Sequence, residues 1–464
     1  MPAENGQSHR PAAARRSAAR PSLPIVIGLA AAVTLATAGQ AGASGYALRE
    51  QSVTALGNAF SGATAGGDDV SYMFFNPATL SLQHGNQMIL GGTVVAPQIK
   101  IRNAQASNSN GIAYNGNGGG RDAGEDHFVP YFYAMWDVQQ SLGLTENIKA
   151  GLSVNVPFGV ETDYRDNWLG RYYALHSKVQ AVSASPVVAW EVTDGLSLAA
   201  GPQIQYFQAK LSNAIDFGSI GPGGVPGEQD GIGKVDGSDV GYGYVLGALW
   251  EPRKDTRIGL AYHSAVEHTL RGDGTFALGG PRGETIAGST GAFQDTNARA
   301  DITTPETASL GVYHALSPDW AIMGDVEWTR WSRFKNLTVE YSNPQQPNAV
   351  TPEDWNDTWF VSLGTTWKPV DAWTLRFGAA FDQDPIPKST RTPRIPTADR
   401  YWISFGAAWL PLPDVSFDLG YTHIFIVGAS LDLSDTPGNT PHGNFSGNAE
   451  SSVDMLGVQF RVNF

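Results

Sequence analysis

The chain ends on MLGVQFRVNF (Met455–Phe464). Leu456, Val458, Phe460, Val462 and Phe464 share one parity. Met455, Gly457, Gln459, Arg461 and Asn463 share the other. Side chains of a strand alternate between its faces, so this is a strand with one apolar face. Chain ends usually fray. A strict alternation that closes on an aromatic predicts a terminus paired to its last residue.

The same period recurs upstream. Val240, Tyr242, Tyr244, Leu246, Ala248 and Trp250 oppose Gly241, Gly243 and Gly247. Trp359, Val361, Leu363 and Trp367 oppose Ser362, Gly364 and Thr366, and 148–158, 319–328, 373–381 and 403–409 read alike. Most apolar rows carry an aromatic near an end, where a membrane interface would sit. No run after Gly45 reaches the roughly 18 apolar residues of a spanning helix. Short turns (TDG, EPRKDT, SPD, KPVDA, PLPD) alternate with long polar stretches at 103–126, 159–175, 212–239, 269–303, 342–356, 383–399 and 426–452. Short inner turns and long outer loops are the pattern of an outer-membrane barrel. With 319–341 read as one strand the count is fourteen, and an even count places both barrel ends on the periplasmic side. The expectation is an all-β, 14-stranded antiparallel transmembrane barrel over 86–464. A soluble sandwich or propeller would need polar outer faces, and no propeller repeat is visible.

Composition agrees. Only 16% of residues are charged, against about 25% in soluble domains. There are 54 Gly and 13 Trp, and the net charge of −14 argues against nucleic acid. The absence of Cys fits export. Arg10, Arg15, Arg16 and Arg20, an apolar run over 23–39 and the small residues Ala41-Gly42-Ala43 read as a signal peptide over 1–43.

Residues 44–85 do not alternate. About forty residues cannot bury a core of their own, but fourteen strands enclose a lumen that wall side chains do not fill. The segment therefore reads as a plug, or hatch, within the barrel.

Here ALGNAFSGATAGGDDVSYMFFNPA (55–78) resembles the plug of the FadL family of outer-membrane long-chain fatty acid transporters, with Asn76-Pro77-Ala78 as its signature. VPFGVETDY (156–164), GRYYALHSKV (170–179) and FDQDPIPKSTRTPRIPTADRYWISFGAAW (381–409) are similar to later parts of the same family. The resemblance implies capture of hydrophobic ligands by outer loops, an inner site near the hatch, and lateral exit beside a kinked third strand. It implies no cofactor and no chemistry on the ligand. The implied partners are a long-chain fatty acid or other hydrophobic small molecule, with outer-membrane lipid and lipopolysaccharide around a monomeric chain. Uptake of aromatic hydrocarbons fits the same fold, and a general porin or adhesin is the reading from another class.

Residue roles follow from side-chain chemistry. Pro157 removes a ladder donor and Gly159 loosens a strand, so Pro157, Phe158 and Gly159 form either a kink that opens the wall or an ordinary strand end. Asn76, Pro77 and Ala78 suit a tight turn. Asp68 and Asp69 either pair with lumen cations or are simply solvated. A fatty acid carboxylate calls for an inward cation. The candidates are Arg171, Lys210, Arg376, Arg394 and Arg400, with the parity of Lys210 matching its outward neighbours Ile204 and Tyr206. Ile215, Phe217, Ile220, Phe276, Leu278 and Ile286 are the apolar points of the outer loops. GIGK (231–234) is no P-loop, and His263 and His268, five apart on one strand, should face opposite sides.

Overall fold

In the computed structural model the described residues are 45–143, 147–434 and 442–464. The signal-peptide expectation for 1–43 lies outside them. Six strands cross once: β1 (Gln87–Ser107), β2 (His127–Asp137), β3 (Ile148–Asp163), β4 (His176–Thr193), β5 (Leu196–Ile215) and β6 (Gly231–Arg253). Four crossings are each broken in two. They are β7 (Thr256–His263) with β8 (Val266–Ala277), β9 (Thr296–Thr304) with β10 (Thr307–Ser317), β11 (Trp320–Thr329) with β12 (Asn336–Tyr341), and β13 (Ala349–Pro352) with β14 (Thr358–Val370). β15 (Trp373–Asp382), β16 (Arg400–Leu412), β17 (Val415–Leu433) and β18 (Asn444–Asn463) complete fourteen crossings.

All ladders are antiparallel. β1 meets β18 from Gln87↔Asn463 to Ser107↔Asn444, which closes the ring. The last residue is paired as its alternation predicts: Phe464 N donates to Asn86 O at 2.9 Å, and Asn86 N returns a bond to Phe464 O at 3.2 Å. Closure matters because an open sheet edge in lipid leaves unpaired peptide groups, each costing several kcal/mol.

The apolar parity faces outward. Trp250, Trp320, Trp367, Trp373 and Trp409 are exposed near the short turns, and Tyr206, Tyr242, Trp359, Tyr401 and Phe425 are exposed nearer the long loops. Trp359 and Trp367 are eight residues apart. That is about 26 Å along a strand, or about 20 Å of membrane normal once the usual tilt is included.

The strands run further outward than their alternation suggests. β5 reaches Ile215, β6 begins at Gly231, β8 reaches Ala277, β9 begins at Thr296, and a helix occupies Pro281–Thr290. Beyond the bilayer both faces meet water or protein, so the apolar row that marks a strand in the sequence disappears. The breaks also reset parity. Ser264 and Ala265 interrupt β7 and β8, so His268 is buried against Gln205 (2.9 Å) while His263 packs on Phe74 (5.7 Å between rings). The expected opposition of the two histidines does not hold.

Residues 45–86 fill the ring. A short helix, Val53–Leu56, is capped by Ser52, and 3-10 turns at Val70–Phe74 and Pro77–Leu82 are capped by Asp69 and Asn76. Between them Ala59 and Phe60 both adopt left-handed backbone (φ 52° and 61°). Each costs about 1–2 kcal/mol. Packing of Phe60 on Phe75 and Trp402 opposes that cost. The wall opposes this segment with polar inward residues. Tyr131 OH accepts from Val53 N (2.8 Å), Asp325 Oδ1 from Thr64 N (2.9 Å), and Asp69 Oδ2 from Gln459 Nε2 (2.8 Å).

Candidate functional site

Toward the long loops lies a cavity of about 410 Å³. Its apolar lining includes Tyr173, Ile215, Phe276, Phe293 and Val339, and Arg394 is its cation. Ile215, Ile220 and Phe276 from the expected capture surface line it, and Phe217 packs on Phe293 at 5.1 Å. Arg394 Nη1 donates to Ser177 Oγ (2.9 Å) and Ser212 O (3.3 Å), and Nη2 to Asn213 Oδ1 (3.5 Å). All three acceptors are neutral. Among the described residues no carboxylate lies within ion-pair distance of this guanidinium. Burial lowers its pKa to about 10, so it stays cationic at neutral pH. His442 beside it is held neutral, lowered to about 4 by burial and by Arg394.

Inward of this cavity is an aromatic box. Tyr46 stands 4.7 Å from Trp331, 5.7 Å from Trp355, 5.7 Å from Phe158 and 6.4 Å from Phe207, centroid to centroid. Beyond Tyr46 a smaller cavity of about 80 Å³ lies among Leu48, Phe74, Phe75, Phe158, Val266 and Pro305. Its one charged pair is Arg49 with Glu327 at 2.5 Å.

The wall beside this smaller cavity is irregular. The β2–β3 ladder runs from Asp137↔Lys149 to Phe132↔Val154 and stops, and β3 next meets that side at the bridge Gly124↔Thr162. The β3–β4 register shifts between Asn155 and Phe158, so Val156 and Pro157 form a bulge. Peptide groups here turn to the amino-terminal segment instead. Leu48 N donates to Pro157 O (2.8 Å) and Gly159 N to Tyr46 O (2.6 Å). The Gln51 amide donates to Val156 O (2.6 Å) and accepts from Val156 N (3.2 Å), standing in for a neighbouring strand. Since β3 continues to Asp163, Pro157–Gly159 is a kink within a strand and not its end.

The remaining candidate residues fall into two groups. Asp68 and Asp69, with the Asn76-Pro77-Ala78 turn, tie the segment to the wall. Asp68 pairs with Arg376 at 3.2 Å. Asn76 Nδ2 donates to Thr64 O (2.7 Å) and to Ala248 O of β6 (3.0 Å), its Oδ1 accepts from Ala78 N, and Pro77 opens the following turn. Of the other four expected carboxylate partners, three are engaged elsewhere and one points outward. Arg376 holds Asp418 (2.9 Å) as well as Asp68. Arg400 lies by Asp382 (3.4 Å) and Thr397. Arg171 holds Asp230 (2.7 Å) and braces the outer loops. Lys210 is exposed on the outward parity, directly across from Lys178 and Asp236, and does not reach the lumen.

This closed ring has counterparts among known proteins. A family model described as "Outer membrane protein transport protein (OMPP1/FadL/TodX)" matches residues 34–464. The chain belongs to this family. It is 27% identical over 462 residues to the long-chain fatty acid transport protein of Escherichia coli O6:H1, covering 94% of this chain and 98% of the relative. It is 29% identical over 451 residues to a putative outer membrane protein of Neisseria meningitidis serogroup B, covering 91% and 95%. The crystal structure of a Pseudomonas aeruginosa FadL homologue superposes with a TM-score of 0.83 at 26% identity, covering 90% of this chain and all of that one. The Ralstonia pickettii toluene transporter TbuX shares the fold (TM-score 0.65, 18% identity, 90% and 99% covered). As a member of the OMPP1/FadL/TodX family the chain is an outer-membrane protein, and its short turns face the periplasm.

Within this family frame, several residues at the site gave no signal in the sequence. Gln51, Glu50 and Glu353 lie in non-alternating segments, where neither period nor parity assigns a direction. Glu50 is fully buried and neither carboxyl oxygen has a hydrogen-bond partner among the described residues. Burial raises its pKa to about 7, with Arg49 and Arg400 opposing. The seated segment therefore favours the protonated acid. Its stability from this group is present at low pH and is lost as pH rises from about 4.5 to about 7, a difference of about 3 kcal/mol. Glu50→Gln should remove that dependence. Tryptic cleavage after Arg49 at pH 8 should be slower in the variant than in the wild type, and equal rates would contradict the assignment.

Proposed function

We propose that the protein carries long-chain fatty acids passively across the outer membrane. The carboxylate docks on Arg394 in the outer cavity, with the chain along the apolar lining. The ligand then passes the aromatic box and leaves sideways at the Pro157–Phe158–Gly159 kink, where the amino-terminal hatch serves as the movable partner of β3. The observation that carries this reading is a guanidinium with only neutral acceptors in a cavity of about 410 Å³, within the usual range for small-molecule sites. Such a cation favours an anionic head group, and the lining favours an alkyl chain. No step calls for chemistry that changes the ligand's skeleton. One chain closes its own ring, so no second copy is needed.

A second reading, uptake of aromatic hydrocarbons, is favoured by the smaller cavity, whose one ion pair is already satisfied and whose walls include Phe74, Phe75 and Phe158. Purified protein in lipid vesicles separates the two. Saturable entry of oleate with little entry of toluene supports the first, and the reverse ratio overturns it.

A further inference from the structure

The chain leaving β13 leads inward from the outer cavity. Thr351 lines that cavity, Glu353 comes next, and Trp355 belongs to the aromatic box. Glu353 is fixed by its backbone, with its N donating to Lys335 O (2.9 Å) and its O accepting from Thr390 Oγ1 (2.7 Å). Its Oε2 accepts from Trp355 Nε1 at 2.8 Å. Arg394 is its nearest cationic influence, yet the two do not form an ion pair. The other groups around it are the Tyr46 phenol, on which it acts electrostatically, and the exposed neighbour Asp354.

The box beyond offers a carboxylate no cation, only two neutral donors that lack partners among the described residues, the Tyr46 hydroxyl and Trp331 Nε1. Its walls are Tyr46, Phe158, Phe207, Trp331 and Trp355. A bare carboxylate in such surroundings is penalised by desolvation, which raises its own pKa. We infer that Glu353 is a proton donor that hands its proton to the ligand carboxylate as the ligand leaves Arg394, so the acid enters the aromatic box uncharged. The inference rests on the fatty acid reading above. In the step the Glu353 O–H bond breaks, an O–H bond forms on the ligand, and the negative charge moves from the ligand to Glu353. No electrons change hands. The new Glu353 carboxylate keeps the Trp355 N–H and faces the Arg394 guanidinium that the ligand has vacated. Water in the outer cavity restores the proton. Burial holds the Glu353 carboxyl near 7, so the donor is substantially protonated at neutral pH while a free fatty acid is not.

The test compares oleate with oleyl alcohol, the same chain without an ionisable head, entering vesicles that contain full-length mature protein. For Glu353→Gln the oleate-to-alcohol flux ratio at pH 8 should fall about tenfold, at or below the low end of general-acid effects. It should recover at pH 5.5, where solvent supplies the proton. Glu353→Asp, which keeps a carboxyl, should retain most of the wild-type ratio. Heat-modifiable gel mobility shows that each variant has folded. An unchanged ratio at pH 8, a fall of equal size at both pH values, or an aspartate variant as impaired as the glutamine one overturns proton donation. Wild-type vesicles that pass the alcohol but no oleate overturn the fatty acid reading, and this inference with it.

Discussion

Replacing Gly378 or Gly259 by valine should turn a closed barrel into a conducting one. A Cβ at Gly378 would lie 2.0 Å from Asn58 O and 2.1 Å from Asn58 C, and one at Gly259 would lie 1.9 Å from Thr64 O. Both clashes set β-wall backbone against hatch backbone, so no side chain can swing aside. The wall is held by its closed ladder. The hatch is held by a smaller set of contacts, among them Asn58 Nδ2 to Thr366 Oγ1 (3.1 Å) and Thr64 N to Asp325. The hatch should therefore yield first. Loss of more than about 4 kcal/mol of seating energy shifts the open population by about a thousandfold. Planar-bilayer conductance and vesicle swelling with small sugars should both rise steeply, while heat-modifiable mobility still reports an intact barrel. Wild-type conductance, with residues 45–85 as protected from protease as before, would show that the close approach does not hold the hatch in place.

Arg394→Ala should weaken fatty acid binding by about ten- to a hundredfold, the cost of a lost hydrogen bond to a charged group. The neutral acceptors at Ser177, Ser212 and Asn213 cannot replace the cation. Arg394→Lys keeps the charge but loses the planar fork, so its loss should be intermediate. Binding of the matching alcohol should change by less than about threefold, because the apolar lining remains. Titration of tryptophan fluorescence against oleate and oleyl alcohol measures both. Equal losses for the two ligands would move the head-group site away from Arg394. Arg376→Ala serves as a contrast, since its pair with Asp68 ties the hatch to the wall and its removal should raise leak before it lowers affinity.

The outer face of the barrel was legible because lipid imposes one rule on every strand. Residues such as Trp359, Val361, Leu363 and Trp367 must be apolar at alternate positions, and the chain must close, so Phe464 completes the last strand. The hatch was legible by contrast, as a stretch of small residues without that period. Its anchors were partly legible. Asp68 and the Asn76 turn find partners that turn chemistry and charge foresee, although Arg376 as partner to Asp68 required the register of β15 against the hatch. Among the five cations, parity could set Lys210 aside but could not rank the rest. Charge compensation between residues hundreds apart in the chain decides that Arg171, Arg376 and Arg400 are engaged and Arg394 is not.

By itself the amino-acid sequence determined a fourteen-stranded outer-membrane ring with a filled lumen, because periodicity against a uniform solvent is a local property of the chain. Only the tertiary structure decided where the cavities lie, which guanidinium keeps an unpaired charge, that Gln51 stands in as a strand at the β3 kink, and that Glu353 stands between Arg394 and the aromatic box. Those features arise where long-range contacts satisfy, or leave unsatisfied, buried polar groups. No spacing along the chain encodes which of the two will happen.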